Sequence, residues 1–290
     1  MSLLLKFNLI FLVVFVAGVA GTGKISYDLL QGNAKQEVLN HARLTMEKAM
    51  AVRAYTNDQI RPLLETQMKY TFLPQTVPAY SATEVLATLA KSFPDYTYKE
   101  ATLNPTNPRD RAVDWEADIV NRFRTQADQK EFIGERESGT GRALYIARPI
   151  RITNAACLTC HSTVEAAPRT VIEKYGPANG FGWHLNEVIG AQVVSVPMSV
   201  PLARAEQTFK IFMTSLVGIF LAIGVVLNVM LYLLVIRPVT ALSKVANRVS
   251  LGEPDVPEFA TDGRDEIGTL AKSFTRMRRS LDQAIKMIDS

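Results

Sequence analysis

Two long stretches of this chain carry no charge, and they limit every fold it can adopt. Residues 7–23 run uncharged between Lys6 and Lys24, and residues 211–236 between Lys210 and Arg237, with Asn228 as the only strongly polar side chain of the second stretch. A bilayer core about 30 Å thick is crossed by about 20 apolar helical residues. The second stretch is long enough even when tilted. The shorter first one fits either a membrane helix or the apolar part of a cleaved signal peptide, with Ala17, Gly18 and Ala20 supplying small residues. Arg237, Lys244 and Arg248 follow the second stretch with no acid before Glu253, and Lys6 precedes the first. Positive flanks stay in the cytoplasm, which puts both termini inside and residues 24–210 on the far side of the membrane. The net charge of +4 is mild, and no lysine–arginine block argues for nucleic acid.

The outer segment contains Cys157-Leu158-Thr159-Cys160-His161, a C-x-x-C-H run. Two thiols at this spacing can add to the vinyl groups of one haem as thioethers, and the next imidazole can bind the iron as proximal ligand. The same run fits half of a zinc site or a dithiol redox pair. The whole chain holds two cysteines and three histidines, so zinc lacks a second pair of ligands at a recognisable spacing. A dithiol motif normally opens a helix after a strand in a βαβ unit, and residues 142–153 before this run do read as a strand. In bacteria, haem attachment to C-x-x-C-H occurs outside the inner membrane. The motif and the charge rule therefore agree on the periplasm, with one covalent haem c as the expected cofactor.

Past the second apolar stretch, Pro238 marks a handover to a further helix. Val239, Leu242, Ala246 and Val249 alternate at spacings of three and four, Gly252, Pro254 and Pro257 interrupt, and Ile267, Leu270, Phe274, Met277, Leu281, Ala284 and Ile288 fill a and d heptad positions. Such helices are expected to pack as a parallel homodimeric bundle. With Pro238, Gly252 and Asp265-Glu266-Ile267-Gly268 at these places, residues 237–290 resemble a HAMP domain. HAMP domains pass a signal onward, yet no kinase histidine box, methyl-accepting hairpin or cyclase follows. The chain is therefore expected to be no enzyme, and to act on a separate cytoplasmic partner such as a histidine kinase or a chemotaxis-type protein.

In the outer segment, residues 26–67 favour a helix with Val38, Ala42, Thr45 or Met46, Ala49 and Val52 on one face, kinked or restarted at Arg61-Pro62. Residues 81–92 read as a helix with Ser81 and Glu84 as a capping box, and 114–124 as another. Strands are expected at 131–137, at 142–152 after the turn Ser138-Gly139-Thr140-Gly141, and at 191–197. The fold class is α/β: a PAS-like sensor domain between two transmembrane helices, plus a C-terminal HAMP bundle.

Residues Tyr98 to Pro108, Arg148-Pro149-Ile150, Ala156 to Ser162, Ala167-Pro168, Tyr175-Gly176, Gly180-Phe181-Gly182-Trp183 and Ser195-Val196-Pro197 together resemble the periplasmic c-type haem sensor domain with a PAS-like fold, long catalogued as a domain of unknown function. The resemblance covers roughly 30–205 and implies sensing of redox state or a small ligand.

Arg148 and Arg151 are candidate partners for haem propionates, and Phe181 and Trp183 for packing on the haem. The sixth iron ligand stays open among Met46 or Met50, one helical turn apart, His184, His41 and Met198, or water or none. The leading function is a haem-based transmembrane sensor. A membrane-anchored electron-carrying cytochrome is the alternative, and the tail counts against it.

Overall fold

The computed structural model describes residues 2–139, 141–253, 256–258 and 263–288, apart from the side chains of 285, 286 and 288. Thr140 of the hairpin turn, Pro254 of the connector and the side chain of Ile288 in the heptad stripe lie outside the described residues. The chain divides into two units, one of Asp28–Thr208 and one of Met1–Tyr27 with Phe209–Ser290.

Helix α1, Leu3–Tyr55, contributes to both units and continues through a π-helical turn, Thr56–Ile60, into α2, Arg61–Met68. Helix α3 is Pro78–Ala90, strand β1 Thr97–Thr102, and helix α4 Asp114–Thr125. Strands β2, Phe132–Ser138, and β3, Gly141–Arg151, form a hairpin. The short helices α5, Leu158–His161, and α6, Arg169–Tyr175, lead to strand β4, Val188–Pro197. Among the described residues the sheet order is β1-β4-β3-β2, antiparallel throughout.

Period-two alternation lets this sheet bury both faces. Leu144 and Ile146 of β3, with Val194 and Val196 of β4, pack against Val38, Ala42 and Met46 of α1. Ala147, Ala191 and Val193 face the other way, onto Ile119, Val120 and Phe123 of α4. The buried stripe of α1 is the one its 3.6-residue period predicts, from Val38 to Ala49, extended by Ala34, with Val52 only partly buried. Charges bracket the contact. Arg43 pairs with Glu131 at 2.9 Å, and Arg148 reaches Glu47 at 2.7 Å and Glu131 at 3.3 Å.

Two expectations need correction. Ser81 is not a cap: α3 starts at Pro78 after Val77, and the Ser81 hydroxyl donates to the Gln75 carbonyl. Proline is pre-set for the first turn of a helix, and it takes the start from the serine. Strand β1 was not foreseen in residues 97–102, because Thr-Tyr-Lys-Glu-Ala-Thr carries two charges and lacks a run of apolar residues. It lies at the sheet edge, where Lys99 and Glu100 find partners.

In the other unit, α1 and α7, Ser199–Leu231, pack antiparallel. Asn8 faces Asn228, Phe11 faces Gly224, Phe15 faces Phe220, Gly23 faces Met213 and Tyr27 faces Phe209. As one number rises from 8 to 27, the other falls from 228 to 209, so the register holds along the whole contact. Asn8 and Asn228 exchange two amide hydrogen bonds, each of 2.8 Å. Both helices are long and apolar enough to cross a membrane.

Helix α7 passes through a π-helical turn, Tyr232–Ile236, into α8, Arg237–Ser250. The sequence Ile-Arg-Pro stands at both π turns, as Ile60-Arg61-Pro62 and Ile236-Arg237-Pro238. Proline has no N–H, and its ring presses on the carbonyl four residues back. That carbonyl belongs to Asp58 or Leu234, inside the widened turn that accommodates it. Helix α9, Glu266–Ile288, is capped by Asp265, whose carboxylate accepts from the Gly268 N–H at 2.8 Å. Leu242, Val245 and Ala246 of α8 meet Ile267, Ala271 and Phe274 of α9. Leu270, Met277 and Leu281 stay exposed, at 42, 60 and 47%.

A chain carrying Phe15→Cys with Phe220→Cys is expected to close an intrachain disulfide on oxidation. Phe15→Cys with Met213→Cys, two turns out of register, is expected not to. Equal closure of the two pairs, read by gel mobility, would contradict this register.

Candidate functional site

The C-x-x-C-H run begins in a short 3-10 turn, Ala155–Cys157, capped by the Asn154 side chain accepting from the Ala156 N–H at 2.8 Å. Helix α5 follows at once and carries Cys160 and His161. Both thiols are free of disulfide and half-buried. The motif lies on the connection between two antiparallel neighbours, β3 and β4. The dithiol reading requires a parallel βαβ crossover, which is absent here. Among the described residues no cluster of three or more His, Cys, Asp or Glu side chains is placed to hold a metal ion.

The imidazole of His161 is fixed from two sides. Trp183 stacks on it with ring centroids 3.9 Å apart and planes 14° apart. The Gly180 carbonyl lies 2.7 Å from Nδ1. A carbonyl only accepts, so Nδ1 carries the proton in this contact and Nε2 is left with its lone pair in the neutral ring. Burial pushes the imidazole pKa below its ordinary value, and the bond to Gly180 opposes that shift. A neutral histidine anchored through Nδ1 is the form that binds metals through Nε2.

The loop supplying that carbonyl is itself clamped. Asn104 accepts from the Gly180 N–H and donates to the Phe181 carbonyl, each at 3.1 Å. Gly182 and Trp183 donate backbone N–H groups to the carbonyls of Ser162 and His161, at 2.7 and 3.1 Å. Gly180 sits at φ +85°, and a Cβ there would come within 2.8 Å of the Thr106 Cα. Only glycine brings this carbonyl onto His161 without displacing backbone. Asn104, Thr106 and the 180–183 segment thus form one support for one ring.

Cys157, Cys160, His161 and Trp183 border a cavity of about 390 Å³, inside the range of roughly 300–1,000 Å³ usual for small-molecule and cofactor sites. Arg53, Asn57 and Arg61, at successive intervals of four on α1, the π turn and α2, form another part of its wall. The two walls are close enough to interact electrostatically, Arg53 with Cys157 and Arg61 with Cys160. Burial raises the Cys160 thiol pKa, and Arg61 opposes that. Phe72 and Tyr175, edge to face at 5.8 Å, and Met68 add apolar lining.

Arg53 Nη1 reaches both oxygens of Glu100 at 2.5 Å, and Tyr98 donates to the same carboxylate at 2.7 Å. Burial, with Glu100 adding, raises the Tyr98 pKa and keeps its hydroxyl a donor. Asp110, also on the cavity, is pushed up to about 6 by burial, against the pull of Arg109. Two thiols, an imidazole with a free Nε2 and a largely apolar cavity beside them are the donor set a covalent haem uses, so the residues present fit that group.

Several sequence candidates stand elsewhere. Met46, on α1, and Met198 are fully buried residues of the core between α1 and the sheet. Met50 accepts from Gln192 Nε2 at 3.3 Å. His184 is exposed beside Glu187, and His41 is exposed on α1. None of these five lines the cavity. Arg148 is taken up by Glu47 and Glu131, and Arg151 by the carbonyls of Asn186 and Ala127, so neither offers its guanidinium to the site. Phe181 contributes its backbone to the Asn104 clamp and is not part of the lining. Sequence reasoning missed Arg53, Asn57, Arg61 and Met68. The interval of four among the first three is the signal, and the stronger apolar period of the same helix masks it.

A family model described as Tll0287-like matches residues 31–197, and a HAMP domain model matches 230–283. The first match takes in more than half of the chain, and the chain belongs to the Tll0287-like family. Among curated proteins it is similar to the heme sensor protein HssS of Staphylococcus epidermidis, in two strains, at 33% identity over 94 residues. That match takes in 32% of this chain and 21% of each relative, so the chain spans about a fifth of their length. Among solved structures, the cyanobacterial heme-protein Tll0287 aligns over 56% of this chain and 95% of its own, with 18% identity and a TM-score of 0.44. A Tll0287-like domain flanked by two candidate membrane helices and followed by HAMP has the composition of a membrane sensor.

Gly180→Ala is expected to destabilise the domain by more than ~1 kcal/mol, because strained φ and a backbone clash act together. Gly182→Ala, at φ +78° with open space around it, is expected to lose less. Thermal unfolding of the two variants decides the matter, and equal losses would show that the contact with Thr106 is unimportant.

Proposed function

We propose that this Tll0287-like protein is a transmembrane receptor of the bacterial inner membrane. In this reading it carries one haem c on Cys157 and Cys160, with His161 as proximal iron ligand. The observation that carries it is the His161 ring, held neutral with Nδ1 on the Gly180 carbonyl and Nε2 free. A bound haem supplies a one-electron couple and an iron that can take a small ligand. The chain's own residues do the rest. Asn104 and Gly180 set the ring's rotation, Trp183 covers one face, and the apolar lining keeps water from the cavity.

The state of the site is read out as strain on α1. That helix ends at Tyr55 beside the cavity wall and contains the whole first apolar stretch. Both stretches span the membrane, with the sensor domain in the periplasm and the tail in the cytoplasm. The HAMP helices of two chains form a homodimeric bundle, because Leu270, Met277 and Leu281 remain uncovered in one chain. A separate cytoplasmic partner, of histidine-kinase or chemotaxis type, takes the signal from there. The register between α1 and α7 favours a retained first helix over a cleaved signal peptide, since Asn228 has its partner in Asn8.

Full-length protein made with the c-haem maturation system is expected to keep its haem through denaturing electrophoresis, and His161→Ala to shift the Soret band. Exported protein with neither property would end this proposal. In membranes, single cysteines at Met277 or Leu281 are expected to crosslink between chains faster than at Lys272 or Arg279, with rates that change on haem reduction. A clear stripe indifferent to reduction would leave the dimer standing but favour an anchored electron carrier over a receptor.

A further inference from the structure

One cation on the cavity wall has no ion-pair or hydrogen-bond partner for its side chain among the described residues. Besides His161, the basic side chains bordering the cavity are Arg53 and Arg61. Arg53 is committed to both oxygens of Glu100. Arg61 is half-buried, and its backbone N–H donates to the Thr56 carbonyl, yet among the described residues its guanidinium makes no ion pair or hydrogen bond. The acids that share the cavity, Glu100 and Asp110, are turned to other cations, Arg53 and Arg109. Leaving a guanidinium partly desolvated without an acceptor is unfavourable. The backbone nonetheless fixes its position: Arg61 is the first residue of α2, between the π turn and Pro62. The junction fixes where the side chain starts, and the residue borders the cavity from there.

We infer that Arg61 binds an anionic oxygen or nitrogen group inside the cavity. This rests on the haem reading above. The planar fork of arginine suits a carboxylate or a small anion and gives two parallel bonds where an ammonium gives one. Two sources offer this chemistry: a propionate of the haem itself, or an exogenous anion that enters the cavity and binds at the iron. Arg148 and Arg151, the arginines that sequence alone offers to propionates, are bound elsewhere and do not compete.

The experiment compares the full-length holoprotein with Arg61→Gln and Arg61→Lys. Midpoint potential is measured across pH without added anion, and azide affinity is measured from the Soret band of the oxidised protein. Wild type without covalent haem would overturn the parent reading before this inference is reached. With haem in place, a lower potential and a changed pH dependence in Arg61→Gln identify the propionate as partner, because removing a nearby cation favours the more positive oxidised iron. An unchanged potential with azide binding weakened roughly tenfold to a hundredfold identifies the exogenous anion, the size expected for a charge-assisted hydrogen bond. Arg61→Lys is expected to fall between wild type and Arg61→Gln in whichever arm responds. Haem content equal to wild type with neither potential nor azide affinity changed overturns the inference. Thermal unfolding alongside shows whether a variant has simply lost its fold.

Discussion

The sensor domain is organised by the burial of one stripe of α1 on the sheet. Val38, Ala42 and Met46 pack against β3 and β4, and Ala49 continues the same stripe against Ala82 and Leu86 of α3. Arg43 and Glu47 on its flanks are tied to Glu131 and Arg148. This contact fixes the helix along its length. It therefore decides where Arg53, Asn57 and Arg61 stand, about one to three turns beyond Ala49. A shift of α1 on the sheet would have to break the apolar seam and the ion pairs together.

The site is built on the opposite scheme. Its central ring is held by the Gly180 carbonyl and the Trp183 indole, both from a segment with little regular structure. Asn104 and the glycine at 180 replace the rigidity that a strand or helix would have given. The residues that touch His161 come from positions near 104, 161 and 183 in the chain. A ligand that moved the 180–183 segment would be felt at Thr106 and then at β1, through the edge pair Thr102 and Arg111.

Much of this was legible in the sequence. The apolar stripe of α1, the hairpin of β2 and β3, helix α4 and the heptads of the tail follow periods of 3.6, 2 and 3.5 that a single chain displays openly. The C-x-x-C-H run announces its chemistry by composition. What escaped was set by tertiary geometry. Met46 and Met50 share a helix face, but one is core and the other bonds to Gln192, and spacing cannot tell a core face from a cavity face. Arg148 lies on a strand as foreseen, yet its partners are acids from α1 and from the segment before β2. Strand β1 is charged because each of its charges is answered across the fold.

The amide pair between Asn8 and Asn228 has a mechanical meaning. In hydrocarbon these groups have no solvent to fall back on. Sliding α7 along α1 by one residue separates both donors from both acceptors, and the next setting that restores facing sides lies a full turn, about 5.4 Å, away. There Asn8 would meet Gly224 or Tyr232, neither of which is an amide side chain. The pair acts as a detent worth roughly 0.6–2 kcal/mol. Axial play between the two helices is discouraged, while tilting and rotation about the pinned end remain cheap. Relative motion of the two helices would then be a swing of a hinged couple, with its pivot near the end that holds both asparagines.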